Sequence, residues 1–249
     1  MLKKTLIIFL TLGCFACNTA AKKGLTAQQI VDMAISASGG ERYQNTIVRF
    51  RFRDFIYESE VIDGKKILRR IGATDFTEVI DVKSPDGFKR YVNDSLVVVA
   101  DSMAIKYANS INSVHYFTRL PYGLNDAAVM KELLGEVQLK NQDYYKVKIT
   151  FKEDNGGDDF EDIYIYWFDK QTYKPDYLAY QFYTEGGGQR FREAYNERHV
   201  NGIRFVDYKN YKTKDNTTKI VLIDSLFENG ALELLSKIEL TEIEVLPKG

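Results

Sequence analysis

Very few residues of this 249-residue chain have the types and the spacing that catalysis requires. His115 and His199 are its two histidines, and neither has an acidic partner at a motif spacing that would indicate a general acid–base pair. No serine occupies a Gly-x-Ser-x-Gly elbow, and the glycines at 186–188 precede neither a helix start nor a Lys-Ser/Thr pair. We therefore expect no catalytic residue and no enzyme activity.

An acidic run between Asp154 and Asp162 is the richest source of oxygen ligands for a metal ion. It lacks the alternating donor spacing and the closing bidentate glutamate of a calcium loop, so a solvated hairpin loop is the better interpretation. Both cysteines, Cys14 and Cys17, precede the predicted domain, which therefore has no disulfide and no thiolate zinc site. We predict no metal and no cofactor.

The cysteines indicate a different chemistry, because residues 1–16 combine a basic start with an apolar core, as in a secretory signal peptide. The 17 uncharged residues from Thr5 to Ala21 are fewer than the roughly 20 that a membrane-spanning helix needs. Ala16-Cys17 resembles the lipobox of bacterial lipoproteins, in which the cysteine is acylated and becomes the N-terminus. We predict lipidation at Cys17, with Cys14 as the alternative, and a tether over 17–24.

The composition indicates one large domain with its own hydrophobic core. Hydrophobic residues make up 45% of the chain, and no Pro/Ser-rich linker divides residues 25–247. The 17 tyrosines and 15 phenylalanines, against four prolines, favour sheet. A net charge of −1 without a basic cluster gives no indication of nucleic-acid binding.

The first predicted element is an amphipathic helix over residues 26–38. Thr26 and Gln29 have the spacing of a capping box, and apolar residues recur at helical spacing behind them. The pair Gly39-Gly40 then ends the helix.

From Thr46 onward the apolar period changes to two, which indicates short strands of an antiparallel meander. Turn signals at Asp63-Gly64, Asn93-Asp94 and Asn201-Gly202 separate these strands. After the strand at Thr46, the predicted strands cover 60–62, 66–71, 77–83, 88–92, 96–99, 144–152, 163–168, 177–183, 188–195, 203–212 and 219–227. The tail at 232–245 has features of a helix and of a bulged strand, and we favour the strand.

The least regular stretch lies in the middle of the chain. Leu120-Pro121-Tyr122-Gly123 cannot form a central strand, because proline lacks the backbone donor. Asn125 or Asp126 then caps a predicted short helix over 126–134.

Several predicted strands are apolar on both faces, which is unusual for an antiparallel sheet. In residues 163–168, one face has Ile163, Ile165 and Trp167, and the other face has two tyrosines and a phenylalanine. Such a sheet must be covered on both faces, or one face must line a cavity.

Three segments carry a resemblance to known families: YFTRLPYGLND (116–126), ELLGE (132–136) and RFREAYNERHVNGIRFVDY (190–208). With the helix that follows the anchor, they resemble the LolA/LolB-like outer-membrane lipoprotein-sorting proteins and, more closely, uncharacterised Bacteroidota lipoproteins. The resemblance covers nearly the whole mature chain and departs from the family pattern at Ser38, where histidine is expected. It implies a mainly β (α+β) fold, a curved antiparallel half-barrel whose helices cover an apolar concave face.

The resemblance also implies a function, which is binding or carrying a hydrophobic ligand such as a lipid or an acyl chain. The candidate lining residues, which share faces by strand alternation, are Phe50, Phe52, Val147, Ile149 and Phe151. The candidate lid residues are Leu120, Pro121 and Leu124. Core packing explains the same alternation, and the alternative function is a structural or assembly lipoprotein that binds a protein partner.

Two further expectations follow from the resemblance. Because residues 18–23 contain no acidic residue, the domain is expected to face the periplasm from a lipid anchor in the outer membrane. An Asp-Ser-apolar pattern implies O-glycosylation at Ser95, Ser102 and Ser225.

Overall fold

The computed structural model describes residues 24–154, 156, 157, 159–215 and 217–248. The predicted signal peptide, the lipidation at Cys17 and nearly all of the tether lie outside these residues. None of the helices in the described segments combines the length and the apolar character needed to span a membrane.

The first helix confirms the sequence prediction. Helix α1 covers Ala27–Ala37, and Thr26 and Gln29 form both hydrogen bonds of the capping box. Gly39 follows with a φ of 73°, and a β-carbon there would lie 1.9 Å from the carbonyl oxygen of Gly202. Only glycine can therefore end this helix against the hairpin at Gly202.

The described residues after α1 include two seven-stranded antiparallel sheets, and both sheets are curved and unclosed. The N-terminal sheet has the order β14-β1-β2-β3-β4-β5-β6. Its strands are β1 (Thr46–Phe52), β2 (Phe55–Ile62), β3 (Lys65–Ala73), β4 (Glu78–Ser84), β5 (Gly87–Val92), β6 (Ser95–Val97) and β14 (Thr241–Pro247).

The C-terminal sheet has the order β13-β12-β11-β10-β9-β8-β7. Its strands are β7 (Val129–Leu139), β8 (Gln142–Phe151), β9 (Ile163–Asp169), β10 (Pro175–Phe182), β11 (Gly188–Val200), β12 (Ile203–Lys212) and β13 (Glu233–Ile238). The predicted hairpins are confirmed, because Asp63, Asn93 and Asn201 all have positive φ values in two-residue turns.

Two further helices were not predicted. Helix α2 covers Asp101–Thr118 and packs on β3, β4 and β5 of the N-terminal sheet. Helix α3 covers Ile223–Glu228 and follows a short 3₁₀ turn at Ile220–Leu222. The predicted strand at 219–227 is therefore wrong, because Ile220, Ile223 and Phe227 have helical spacing and are buried together.

Two other sequence predictions need correction. The mid-chain helix predicted at 126–134 is strand β7, which pairs with β8 along its whole length from Val129 to Leu139. The hydrogen bonds between β7 and β8 outweigh the local helical spacing of the apolar residues. The tail is strand, as favoured, but it forms two strands in different sheets, β13 and β14, joined at Glu239 and Leu240.

The core has two clusters on opposite faces of the C-terminal sheet. The larger cluster lies between the sheets and includes α1, the end of α2, and the inner faces of both sheets. The smaller cluster lies on the outer face of the C-terminal sheet, where α3 covers Ile165, Trp167 and Phe191. The two apolar faces predicted for 163–168 are thus both covered.

A buried charge cluster fixes three strands of the N-terminal sheet. Asp81 on β4 is 2% exposed and accepts hydrogen bonds from Arg70 on β3 and Arg90 on β5, each with a shortest distance of 2.6 Å. The Asp81 hydrogen bond is the largest cause that raises the pKa of Arg90 above its usual range.

Candidate ligand-binding cavity between the two sheets

A cavity of about 730 Å³ lies between α2 and the inner face of the C-terminal sheet. Helix α2 supplies one wall with a stripe of side chains at helical spacing from Asn109 to Phe117, and Leu120, just beyond the helix, extends this wall. The hydroxyls of Tyr116 on α2 and Tyr166 on β9 lie 2.9 Å apart and join the two walls. The cavity therefore has a helical wall and a sheet wall.

The sheet wall is aromatic. Strand pairing places Tyr164 opposite Tyr180, and their rings stack with centroids 5.4 Å apart. Phe151 meets the edge of Tyr164 at 5.7 Å, and Phe182 adjoins Tyr180 at 6.0 Å. These four residues lie on β8, β9 and β10 with the same side of the pleat facing α2, so they form one continuous surface.

Charged groups also line this cavity. Arg192 on β11 lies 4.9 Å from the centre of the Phe117 ring and donates a hydrogen bond of 3.2 Å to the Tyr180 hydroxyl. Within the described part of the chain, no carboxylate lies at ion-pair distance from Arg190 or Arg192. Burial, and then the nearby Asp159, raises the pKa of Asp162 to about 6.

A second, smaller compartment of about 230 Å³ adjoins the cavity. Its lining includes Lys66, His115, Arg119 and Asp126. Burial lowers the pKa of His115 to about 3, so this imidazole is neutral. The residues that line both spaces are Lys83, Asn112, Tyr116, Phe151, Gly156 and Gly157. The two compartments therefore adjoin each other and share these residues as a common wall.

The five candidate lining residues occupy two kinds of position. Phe151 lines both compartments. Phe50, Phe52, Val147 and Ile149 are buried in the cluster between the sheets, where Phe50 stacks on Tyr57 with centroids 5.5 Å apart. The face of β8 that carries Val147, Ile149 and Phe151 therefore packs in the central core over most of its length. Only Phe151, at the end of the strand, reaches the cavity.

The candidate lid residues are buried as well. Leu120 lines the larger cavity at the end of the α2 stripe. Pro121 and Leu124 are buried, and Leu124 belongs to the central cluster. A 3₁₀ turn at Tyr122–Asn125 holds Leu124 there.

Several lining residues were not identified from the sequence. The alternation of Arg190, Phe191 and Arg192 is typical of a strand whose arginines face solvent. In the structure Phe191 lies in the outer cluster, and the two arginines line the cavity. The two apolar faces of 163–168 are the signal that could have placed Tyr164 in a cavity.

Serines 95, 102 and 225 are all exposed, and their O-glycosylation stays a prediction. The described residues include no group of three or more His, Cys, Asp or Glu side chains that could hold a metal ion.

The fold and the site define a mainly β protein with two curved sheets and a cavity between them that opens to solvent. The chain belongs to a family of unknown function, DUF6503, whose profile matches residues 79–240. No curated protein is significantly similar to it in sequence.

Two solved structures are similar to this chain at low sequence identity. A DUF1329 family protein from Desulfovibrio piger has a TM-score of 0.49 and 12% identity, and the match covers 88% of this chain and 92% of that chain. A LolA superfamily protein from Nitrosomonas europaea has a TM-score of 0.47 and 12% identity, and the match covers 91% and 96% of the two chains. The second belongs to the superfamily that the sequence motifs resemble. The closer resemblance to Bacteroidota lipoproteins stays a prediction.

Proposed function

We propose that this protein binds a hydrophobic ligand, a lipid or an acyl chain, in the cavity between its sheets, as a lipid-anchored protein of the cell envelope. The observation that carries the proposal is the aromatic wall of Phe151, Tyr164, Tyr180 and Phe182 around a space of about 730 Å³. Ligand sites in proteins typically have volumes of roughly 300–1,000 Å³, and this space lies within that range.

The mechanism is burial of apolar surface, without a chemical step. Each methylene group that leaves water for the aromatic wall contributes about 0.8 kcal/mol. The small polar side chains of Asn112 and Ser113 face the aromatic wall from α2. Because they are small, they leave space at the wall for an acyl chain. Binding and release then need no rearrangement of the strands.

A matched pair of substitutions on α2 tests this function. Ser113 lines the cavity and Ser102 does not, although both are exposed serines of the same helix. Ser113→Trp should fill the space beside Tyr164 and reduce binding of N-phenyl-1-naphthylamine, a fluorescent apolar probe, whereas Ser102→Trp should bind it as the wild type does.

Lipid content is the second measurement. Protein purified without detergent should yield acyl lipid on organic extraction and mass spectrometry, and Ser113→Trp should yield less. If the wild type has no lipid and neither variant changes dye binding, the cavity is not a ligand site and the proposed function is refuted.

Binding of a protein partner is the second candidate function, because apolar side chains are exposed beside the edge strand β6. Phe76, Leu96 and Val98 are 90%, 63% and 97% exposed. An edge strand with exposed apolar residues is a surface on which a partner strand can pair. If wild-type protein neither contains lipid nor binds the dye, partner binding becomes the favoured function. Val98→Lys should then weaken binding of the partner at β6.

A further inference from the structure

Arg119 is a buried cation without a counterion in the part of the chain that the structure describes. It follows α2 directly, is 7% exposed, and lines the smaller compartment. Its guanidinium carbon lies 5.0 Å from the ring centres of both Tyr43 and Tyr122. Its Nε is buried and has no hydrogen-bond partner.

This environment is costly for a charge. Burial lowers the pKa of Arg119, although an arginine remains charged near neutral pH. The two tyrosine rings offset part of the lost hydration, but they do not replace the hydrogen bonds that a guanidinium makes in water. An anion that enters the smaller compartment would supply those bonds.

The other charges of the compartment leave this role to Arg119. Lys66 pairs with Asp126 at 3.3 Å, and both of these side chains are exposed. His115 is neutral, and its Nε2 donates to the Arg69 carbonyl oxygen at 3.1 Å. Arg192 of the larger cavity also has a buried Nε without a hydrogen-bond partner, but it is the less suitable candidate because the residue is only half-buried and already donates to the Tyr180 hydroxyl.

The adjacency of the two compartments points to the class of ligand. A space with an aromatic sheet wall that adjoins a buried arginine matches a molecule with an apolar chain and one acidic end. We propose that the ligand is a single-chain acidic amphiphile whose carboxylate or phosphate head group pairs with Arg119, while its chain lies along the aromatic wall. This inference rests on the proposed function and adds the chemistry of the head group.

Three probes with the same sixteen-carbon chain test this inference: palmitate, hexadecyl phosphate and hexadecanol. Their dissociation constants are measured by displacement of N-phenyl-1-naphthylamine, below the micelle concentration of each probe. Because a hydrogen bond to a charged group is worth about tenfold or more in affinity, wild type should bind at least one acidic probe about tenfold more tightly than hexadecanol. The preferred acid distinguishes a carboxylate from a phosphate head group.

Substitutions then locate the head group. Arg119→Gln should bind the acid and the alcohol with similar affinity, while its hexadecanol binding stays at the wild-type level and shows that the cavity is intact. Arg119→Lys should retain part of the preference. The control is Arg51→Gln, which removes a partly exposed arginine outside both compartments and should keep the preference for the acid. Arg192→Gln tests the other buried arginine as the rival partner of the head group.

The outcomes separate the two proposals. If wild type binds all three probes equally, the acidic head group is refuted and the hydrophobic ligand stands; this comparison needs no variant to fold. If Arg192→Gln and not Arg119→Gln abolishes the preference, the assignment to Arg119 is overturned. If no probe binds, the proposed function fails and this inference fails with it.

Discussion

The packing of α3 on the outer face of the C-terminal sheet depends on one buried ion pair. The Nζ of Lys146 on β8 lies 2.5 Å from Oδ2 of Asp224 on α3 and donates to the Val221 carbonyl oxygen at 2.6 Å. The two side chains are 9% and 13% exposed. The indole Nε1 of Trp167 donates to the same carboxylate oxygen at 3.2 Å.

Removing one partner of this pair should be far more harmful than removing both. Lys146→Met keeps the apolar stem but leaves the carboxylate without its cation, with only the Trp167 indole and the Ser225 backbone N–H as donors. Breaking such a pair costs about 3–5 kcal/mol. Asp224→Leu should cost a similar amount. The double variant leaves no unpaired charge, and with the loss of the indole hydrogen bond it should lie within about 2 kcal/mol of wild type.

Urea denaturation measures this double-mutant cycle, with tryptophan fluorescence as the local probe, because Trp167 is the single tryptophan of the chain. The coupling free energy should be at least about 2 kcal/mol. The control is Lys65→Met in the exposed Lys65–Asp86 pair, which should change the free energy of unfolding by less than about 1 kcal/mol. Additive effects of the two single substitutions, within about 0.5 kcal/mol, would refute the claim that this pair holds α3.

Three further predictions follow from the burial of individual side chains. Phe50→Glu should prevent folding because it buries an unpaired carboxylate in the core, whereas Phe151→Glu, at a half-buried position in the cavity wall, should fold; circular dichroism distinguishes these outcomes. Asp81→Asn should lower the free energy of unfolding by about 3–5 kcal/mol in urea titrations, since it leaves two arginines without their buried counterion, and an effect below about 1 kcal/mol would contradict this. Burial lowers the pKa of His115 from 6.5 to about 3, so its contribution to stability is complete above pH 6.5 and is lost as the pH falls toward 3; Tm should therefore fall more steeply over this range in wild type than in His115→Gln, and parallel curves would contradict the burial.

Local signals predicted the strands and turns of this fold well. Asp63-Gly64 and Asn201-Gly202 specify two-residue hairpins because few other residue pairs accept two successive positive φ values, and the structure has hairpins there. Thr26 and Gln29 specify a helix start by hydrogen bonds between residues three apart. Each of these predictions depends on neighbours in sequence, which is why each could be made without knowledge of the tertiary structure.

The errors share a different cause. Strand β7 has apolar residues at both helical and alternating positions, and only its partner β8, which lies beyond a two-residue turn, decides between the two patterns. In α2 the buried Ile111, Val114, His115 and Thr118 have helical spacing, but half of these side chains are polar, so hydrophobicity alone gives a weak signal. Tertiary packing decided both cases.

The cavity follows from the way that α2 divides its side chains between the two sheets. Its buried face meets the N-terminal sheet, where the His115 ring meets the edge of the Phe50 ring at 5.8 Å. A second stripe of α2 side chains faces the aromatic wall. The side chains of this stripe are small at Asn112 and Ser113 and become larger from Tyr116 onward. Where the stripe is large, it contacts the wall and closes the space; where it is small and polar, it cannot fill the gap. The position of the cavity therefore depends on the order of side-chain sizes along α2. That order predicts a cavity only when the aromatic wall opposite the helix is known.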